Sequence, residues 1–142
     1  MYLGNDISCQ GNFILFDLTV FSNANIRNFG GVNYFHNVTL FGDGFFEGDN
    51  TFNNLTLSAG KTYILQNGKT QTVTSNFYAS GNPCFTLFLK SYQPGSQANL
   101  CINGGITNFD FVDIRDINAS CNTISYNNHS IDNGNNSNIA FI

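Results

Sequence analysis

Along most of this chain apolar and polar residues alternate in short runs, and turn-forming residues close each run. Asn54-Leu55-Thr56-Leu57 alternates with period two, which predicts a half-buried strand. Ser58-Ala59-Gly60-Lys61 then predicts a turn, with Gly60 free to adopt positive φ. Thr62 to Leu65 is β-branched and aromatic, and Asn67-Gly68 is a strong turn signal. The same grammar holds elsewhere. Phe13 to Phe16 and Leu18 to Phe21 flank Asp17, and Phe35 to Leu40 is followed by Gly42-Asp43-Gly44. Val73 to Ala79, Phe85 to Leu89 and Ala98 to Ile102 are separated by turns at Ser80 to Pro83 and Gln93 to Ser96. No long apolar stripe of helical period and no capping box precedes an apolar run, so helices are not expected.

The runs are related to one another. Phe35-His36-Asn37-Val38-Thr39-Leu40 recurs as Phe52-Asn53-Asn54-Leu55-Thr56-Leu57, and Leu15 to Val20 is a looser copy upstream. Phe109 to Ile114 repeats the apolar spacing once more. Self-similarity at a period of roughly 17–25 residues is the mark of a solenoid rung. The expected fold is therefore all-β: a parallel β-helix, with three short strands per coil, over one domain spanning residues 1–142. Phe35 should lie over Phe52, Leu40 over Leu57 and Val38 beside Leu55, while Asn37 and Asn54 form an amide ladder. Leu55, Leu57, Ile64, Phe77, Leu87, Leu89, Val112 and Ile114 are the expected interior. A Greek-key sandwich is the alternative, but it has no reason to repeat the motif. The polar segment Ser125 to Asn138 reads as a loop before a last edge strand, Ile139 to Ile142.

Composition sharpens this picture. The 142 residues suit a single domain, and 42% are hydrophobic while only 10% are charged. Amides, hydroxyls and glycine supply the polarity instead. Net charge is −4 and the five Lys and Arg residues are scattered, which excludes a nucleic-acid groove. No stretch approaches the ~18 apolar residues of a membrane span. Met1 to Gln10 lacks the basic and apolar regions of a signal peptide. If secreted, the chain is thus expected to be mature, truncated or internal to a longer one.

The candidate chemistry is thin. Asp110, Asp113 and Asp116 are the densest acidic group. Carboxylates gathered on one sheet face shift each other's pKa and bind Ca²⁺ or polarise water. Their spacing does not suit one strand face, since a strand alternates with period two. Asp116, in Asp116-Ile117-Asn118-Ala119, reads as a turn. Gly42 to Asn50 is acidic and Gly-rich but lacks calcium-loop ligand spacing, and reads as a turn between coils. His36 and His129 have no second ligand nearby in sequence, and His36 reads as a surface strand residue. Hence no catalytic, cofactor-binding or metal residue is assigned. Cys9, Cys84, Cys101 and Cys121 lack CxxC spacing. They read as buried small hydrophobes or as disulfide partners, with Cys84–Cys101 favoured if neighbouring strands bring them together.

Thr51 to Thr62 followed by Thr70-Gln71-Thr72-Val73 resembles repeat regions of very large secreted surface proteins of the Bacteroidota. Pro94 to Ala98, Phe111 to Ala119 and Ser130 to Ser137 extend the likeness. It covers roughly residues 50 to 142, leaving 1–50 as N-terminal coils that fit by general pattern and 51–142 as the family-like coils. The family's aromatic, often Trp, is missing at Ile139 to Phe141. The resemblance implies a right-handed parallel β-helix, adhesin-like, exported by the type IX route, with a signal peptide and a sorting domain lying outside this chain. It implies no catalytic residues. The expected role is a non-catalytic structural or adhesive module at the cell surface. Glycans or surface proteins are its possible partners, and it is expected to associate end to end or continue in a longer chain. A carbohydrate-active lyase or hydrolase using Asp110, Asp113 and Asp116 is the alternative.

Overall fold

The structure is a computed structural model that describes residues 6–9, 13–28, 33–107, 109–126 and 129–141. These form strands and turns, with no helix among the described residues. In order the strands are β1 (Asp6–Cys9), β2 (Phe13–Val20), β3 (Ala24–Asn28), β4 (Asn33–Leu40), β5 (Gly44–Glu47) and β6 (Asn50–Leu57). Then follow β7 (Thr62–Leu65), β8 (Thr70–Ala79), β9 (Leu87–Ser91), β10 (Ala98–Ile102) and β11 (Gly105–Thr107). Last come β12 (Val112–Arg115), β13 (Ile117–Ala119), β14 (Ile124–Tyr126), β15 (Ile131–Asp132) and β16 (Ile139–Phe141).

Through most of this series, successive strands alternate between two parallel sheets. One runs β1-β3-β5-β7-β9-β12-β15, the other β2-β4-β6-β8-β10-β13, with β11 also on β8 and β14 paired to β16. The result is an all-β molecule of short strands in parallel sheets, consistent with a solenoid-like fold. Parallel neighbours cannot be joined by hairpins. That removes the Greek-key sandwich.

The repeated motif stacks as its spacing predicts. Phe35 pairs with Phe52, Val38 with Leu55 and Leu40 with Leu57. The upstream echo also falls in line, Asp17 and Leu18 pairing with Asn37 and Val38. Burial changes phase once within β4 and once within β6. In β4, Asn33 and Phe35 are buried and then Val38 and Leu40; in β6, Asn50 and Phe52 and then Leu55 and Leu57. Unbroken alternation would send one pair outward. The ladder skips His36 and Asn53, and at that level the strand turns so that both halves face the core. In β8 an extra residue enters at the same level, with Val73 on Phe52 and Asn76 on Asn54. Beyond β8 the two halves become separate strands, β10 and β11.

Apolar columns fill the interior. Leu18, Val38, Leu55 and Phe77 form one, and Val20, Leu40, Leu57 and Ala79 the next. The Phe35 and Phe52 rings stack 5.2 Å apart and 14° from parallel. From the facing sheet come Ile26, Phe46 and Leu65, and beside them Tyr63, Leu89 and Ile114. Each large side chain so buried stabilises by about 1.5–3 kcal/mol. Gly44 makes room for Tyr63: a Cβ there would lie 2.9 Å from the tyrosine ring and 3.1 Å from Leu40. The Tyr63 hydroxyl donates to the Leu40 carbonyl at 3.0 Å and accepts the Ser58 N–H at 2.8 Å. Burial pushes its pKa up to about 12.

Several expectations need correction. Ile64 is not in the core; Tyr63 and Leu65 are its buried neighbours, because Leu65 pairs with inward Phe46 and Ile64 with outward Phe45. Gly42 to Asn50 is more than a turn, since it carries β5 with Phe46 fully buried. The Phe109 to Ile114 echo belongs to the other sheet, where β12 lies between β9 and β15. The polar tail is no plain loop: it carries part of β14 and all of β15, and β16 lies alongside β14. The disulfide joins Cys101 to Cys121, whose Cα atoms are 4.8 Å apart, while Cys84 sits free and exposed. One inter-strand step separates the bonded pair, which is what a disulfide can span. Cys84 stands instead in the tight turn closed by Asn82 and Phe85. Ile142 lies outside the described residues.

Candidate functional site

Rows of strand amides hold neighbouring strands together. The Asn37 amide donates to Asp17 at 2.6 Å, Asn54 donates to Asn37 at 2.6 Å, and Asn76 donates to Asn54 at 3.0 Å. This is the predicted amide ladder, extended to four strands. A second ladder lies inside the core: Asn33 donates to Asn50 at 3.0 Å, and Asn50 to Gln71 at 2.9 Å. Gln71 ends it on the Gly48 carbonyl at 2.8 Å. A third joins Asn138 to Asn118 and Asn118 to Asn99. Each amide inside a row both donates and accepts, whereas Asn33 Oδ1, at the end of the core row, is buried with no partner among the described residues.

The three aspartates do not converge. Asp110 stands before β12 and contacts His129 Nδ1 at 3.0 Å. Burial raises its pKa, but the bonds from His129 and the Phe111 N–H outweigh that and hold it below the ordinary carboxylate value. The His129 ring stacks on Phe111 at 4.5 Å. Asp113 points outward from β12 and accepts both contacts of the Asn133 amide, at 3.1 and 3.3 Å. Asp116 is buried in the turn between β12 and β13 with φ of 59°, and accepts from the Gly95 N–H and from Asn135. No group of three His, Cys, Asp or Glu side chains that could hold a metal exists among the described residues. His36 is exposed on β4, as expected, and contacts Asp17 at 3.2 Å.

What the structure does assemble lies on the outer face of the first sheet. Lys90 on β9 pairs in register with Arg115 on β12, and Phe88 with Asp113. With Asn133 these four side chains line a notch of about 110 Å³. Further along the same face, a groove of about 490 Å³ is lined by Asn25, Asp43, Phe45, Thr62 and Ile64 among others. Phe45 also packs on the exposed Tyr92, ring centres 5.4 Å apart. Of the notch residues, sequence reading singles out Asp113 alone. The signal for the rest is present in each strand: Leu87-Phe88-Leu89-Lys90 and Val112-Asp113-Ile114-Arg115 both alternate inward and outward. Their mutual register is hidden by the intervening turns. No protein-family model, curated protein or solved structure matches this chain.

Proposed function

We propose that this chain is a right-handed parallel β-helix, three strands per coil, serving as a non-catalytic structural and adhesive module at the cell surface. The observation that carries the reading is the use of side chains. Asp17, Asn33, Asn37, Asn50, Asn54, Gln71 and Asn76 are locked in ladders between strands, and Asp110, Asp113 and Asp116 each have separate partners. Right-handedness follows the general preference of parallel crossovers. The Cys101–Cys121 disulfide supports an oxidising compartment outside the cytosol. The likeness to secreted Bacteroidota surface repeats points the same way.

Such a module stiffens a surface structure and presents its outer faces to glycans or partner proteins. Among the described residues β15 pairs on one side, with β12, and an open parallel edge templates a further strand. End-to-end association of copies, or continuation in a longer chain, belongs to the same proposal. The catalytic alternative is tested by incubating purified protein with pectin, alginate and glycosaminoglycans, with and without Ca²⁺. New reducing ends or unsaturated products that vanish in Asp113→Asn would overturn the reading. Binding without turnover is the expected result.

A further inference from the structure

We propose that the notch formed by Phe88, Lys90, Asp113, Arg115 and Asn133 receives the carboxylate of an acidic saccharide. This deepens the adhesive reading above, on which it rests, by naming a site and a ligand class. The first argument is charge. The chain has only five Lys and Arg residues, yet two of them stand directly opposite each other on β9 and β12. Like charges in that relation destabilise a sheet. Arg27 and Lys69 are each paired, with Glu47 and Asp49 at 3.4 Å. Arg115 has Asp116 at 3.2 Å along its Nε edge. No carboxylate lies within ion-pair distance of Lys90 among the described residues. Asp116 offsets the Arg115 charge along its Nε edge and the Asp113 carboxylate is engaged by the Asn133 amide, so Lys90 is the cation left to give an entering anion a charge-assisted hydrogen bond.

The second argument is the surroundings of the two cations. Phe88 is 41% exposed next to them, a flat apolar face of the kind on which the C–H face of a pyranose ring lies. Asp113 and Asn133 are already bonded to each other, which fixes their orientation and leaves the Asn133 oxygen to accept from a hydroxyl. Size decides the mode. At about 110 Å³ the notch is below the ~300–1,000 Å³ of pockets that enclose a whole small ligand. It therefore takes one charged group, while the sugar ring rests outside it on Phe88. The wider groove around Phe45 lies on the same outer face, where a longer chain of sugars can continue.

The test is an amide chemical-shift titration of the intact protein with trigalacturonate, its methyl ester and sodium acetate. Trigalacturonate is expected to shift amides of β9, β12 and β15 in a salt-sensitive manner, with the ester and acetate binding at least tenfold more weakly. Lys90→Gln and Phe88→Ala should each weaken trigalacturonate about tenfold, while Tyr34→Ala, on the outer face of β4, leaves it unchanged. All three side chains point outward, and an unaltered melting temperature verifies that each variant folds. No shifts with trigalacturonate, shifts confined to another face, or acetate binding as tightly as the saccharide would each overturn the site. Trigalacturonate that binds here and is also cleaved would leave the site standing and overturn the non-catalytic reading instead.

Discussion

Asn50 sits between Asn33 and Gln71 inside the core, accepting from one at 3.0 Å and donating to the other at 2.9 Å. All three residues are buried. The row places polar amides where apolar columns would otherwise continue, and it fixes the register of β4, β6 and β8 because a slip by one residue would strand every amide. Asn50→Ala removes the middle of the row and leaves a buried donor and a buried acceptor unpaired. The expected loss is roughly 1–3 kcal/mol for each stranded group, read from chemical denaturation. Asn54→Ala, on the half-exposed ladder, should cost distinctly less because water can replace the amide.

Leu57→Ala empties part of a column shared with Leu40 and Ala79, and should cost about 2–5 kcal/mol. An unchanged denaturation midpoint would contradict the buried position of Leu57.

Tyr63 and Gly44 form a coupled pair. Tyr63→Phe keeps the packing but leaves the Leu40 carbonyl and the Ser58 N–H without their shared partner, a loss of roughly 1–3 kcal/mol. Gly44→Ala drives a methyl into the Tyr63 ring and should cost about 1–3 kcal/mol by overpacking. Because both changes act on one ring, the double variant should be less destabilised than the sum of the two, as a double-mutant cycle would reveal.

The Cys101–Cys121 bond closes a loop with a sequence separation of 20 residues. Cys121→Ser should therefore lower stability by about 3 kcal/mol under oxidising conditions. With reductant present, wild type and variant should melt together. Mass spectrometry after labelling of the native protein should find a thiol reagent on Cys84 and none on Cys101 or Cys121.

Asp17 ends the outer ladder. Hydrogen bonds from Asn37 and then His36 hold its carboxyl below the ordinary value of 3.8. A depressed carboxylate contributes stability above its unfolded pKa and loses it as pH falls through the folded one. The Asp17 to Asn37 bond should thus persist at neutral pH and fade only below about 3.8. Carboxyl carbon shifts followed by NMR measure this directly. In Asn37→Ala the Asp17 midpoint should rise toward the ordinary value.

The sequence by itself determined the elements built on its own repetition. Phe35 over Phe52, Val38 beside Leu55, Leu40 over Leu57 and the Asn37–Asn54 bond all follow from one motif written twice. Parallel stacking turns repetition along the chain into adjacency in space, so a local pattern fixes a tertiary contact. Where the repeat is irregular, that shortcut fails. The partner of Cys101, the facing of Ile64, the strand inside Gly42 to Asn50 and the meeting of Lys90 with Arg115 depend on how many residues each turn consumes. Side-chain oxygens at the turns also catch backbone N–H groups one repeat away, as Asp43 does for Thr62, Asp49 for Thr70 and Asn136 for Ile117. Those partners lie 19 to 21 residues apart, close to the repeat, but outside the copied motif itself. Only the assembled sheets decide them, because inter-strand pairing has to satisfy every backbone group at once.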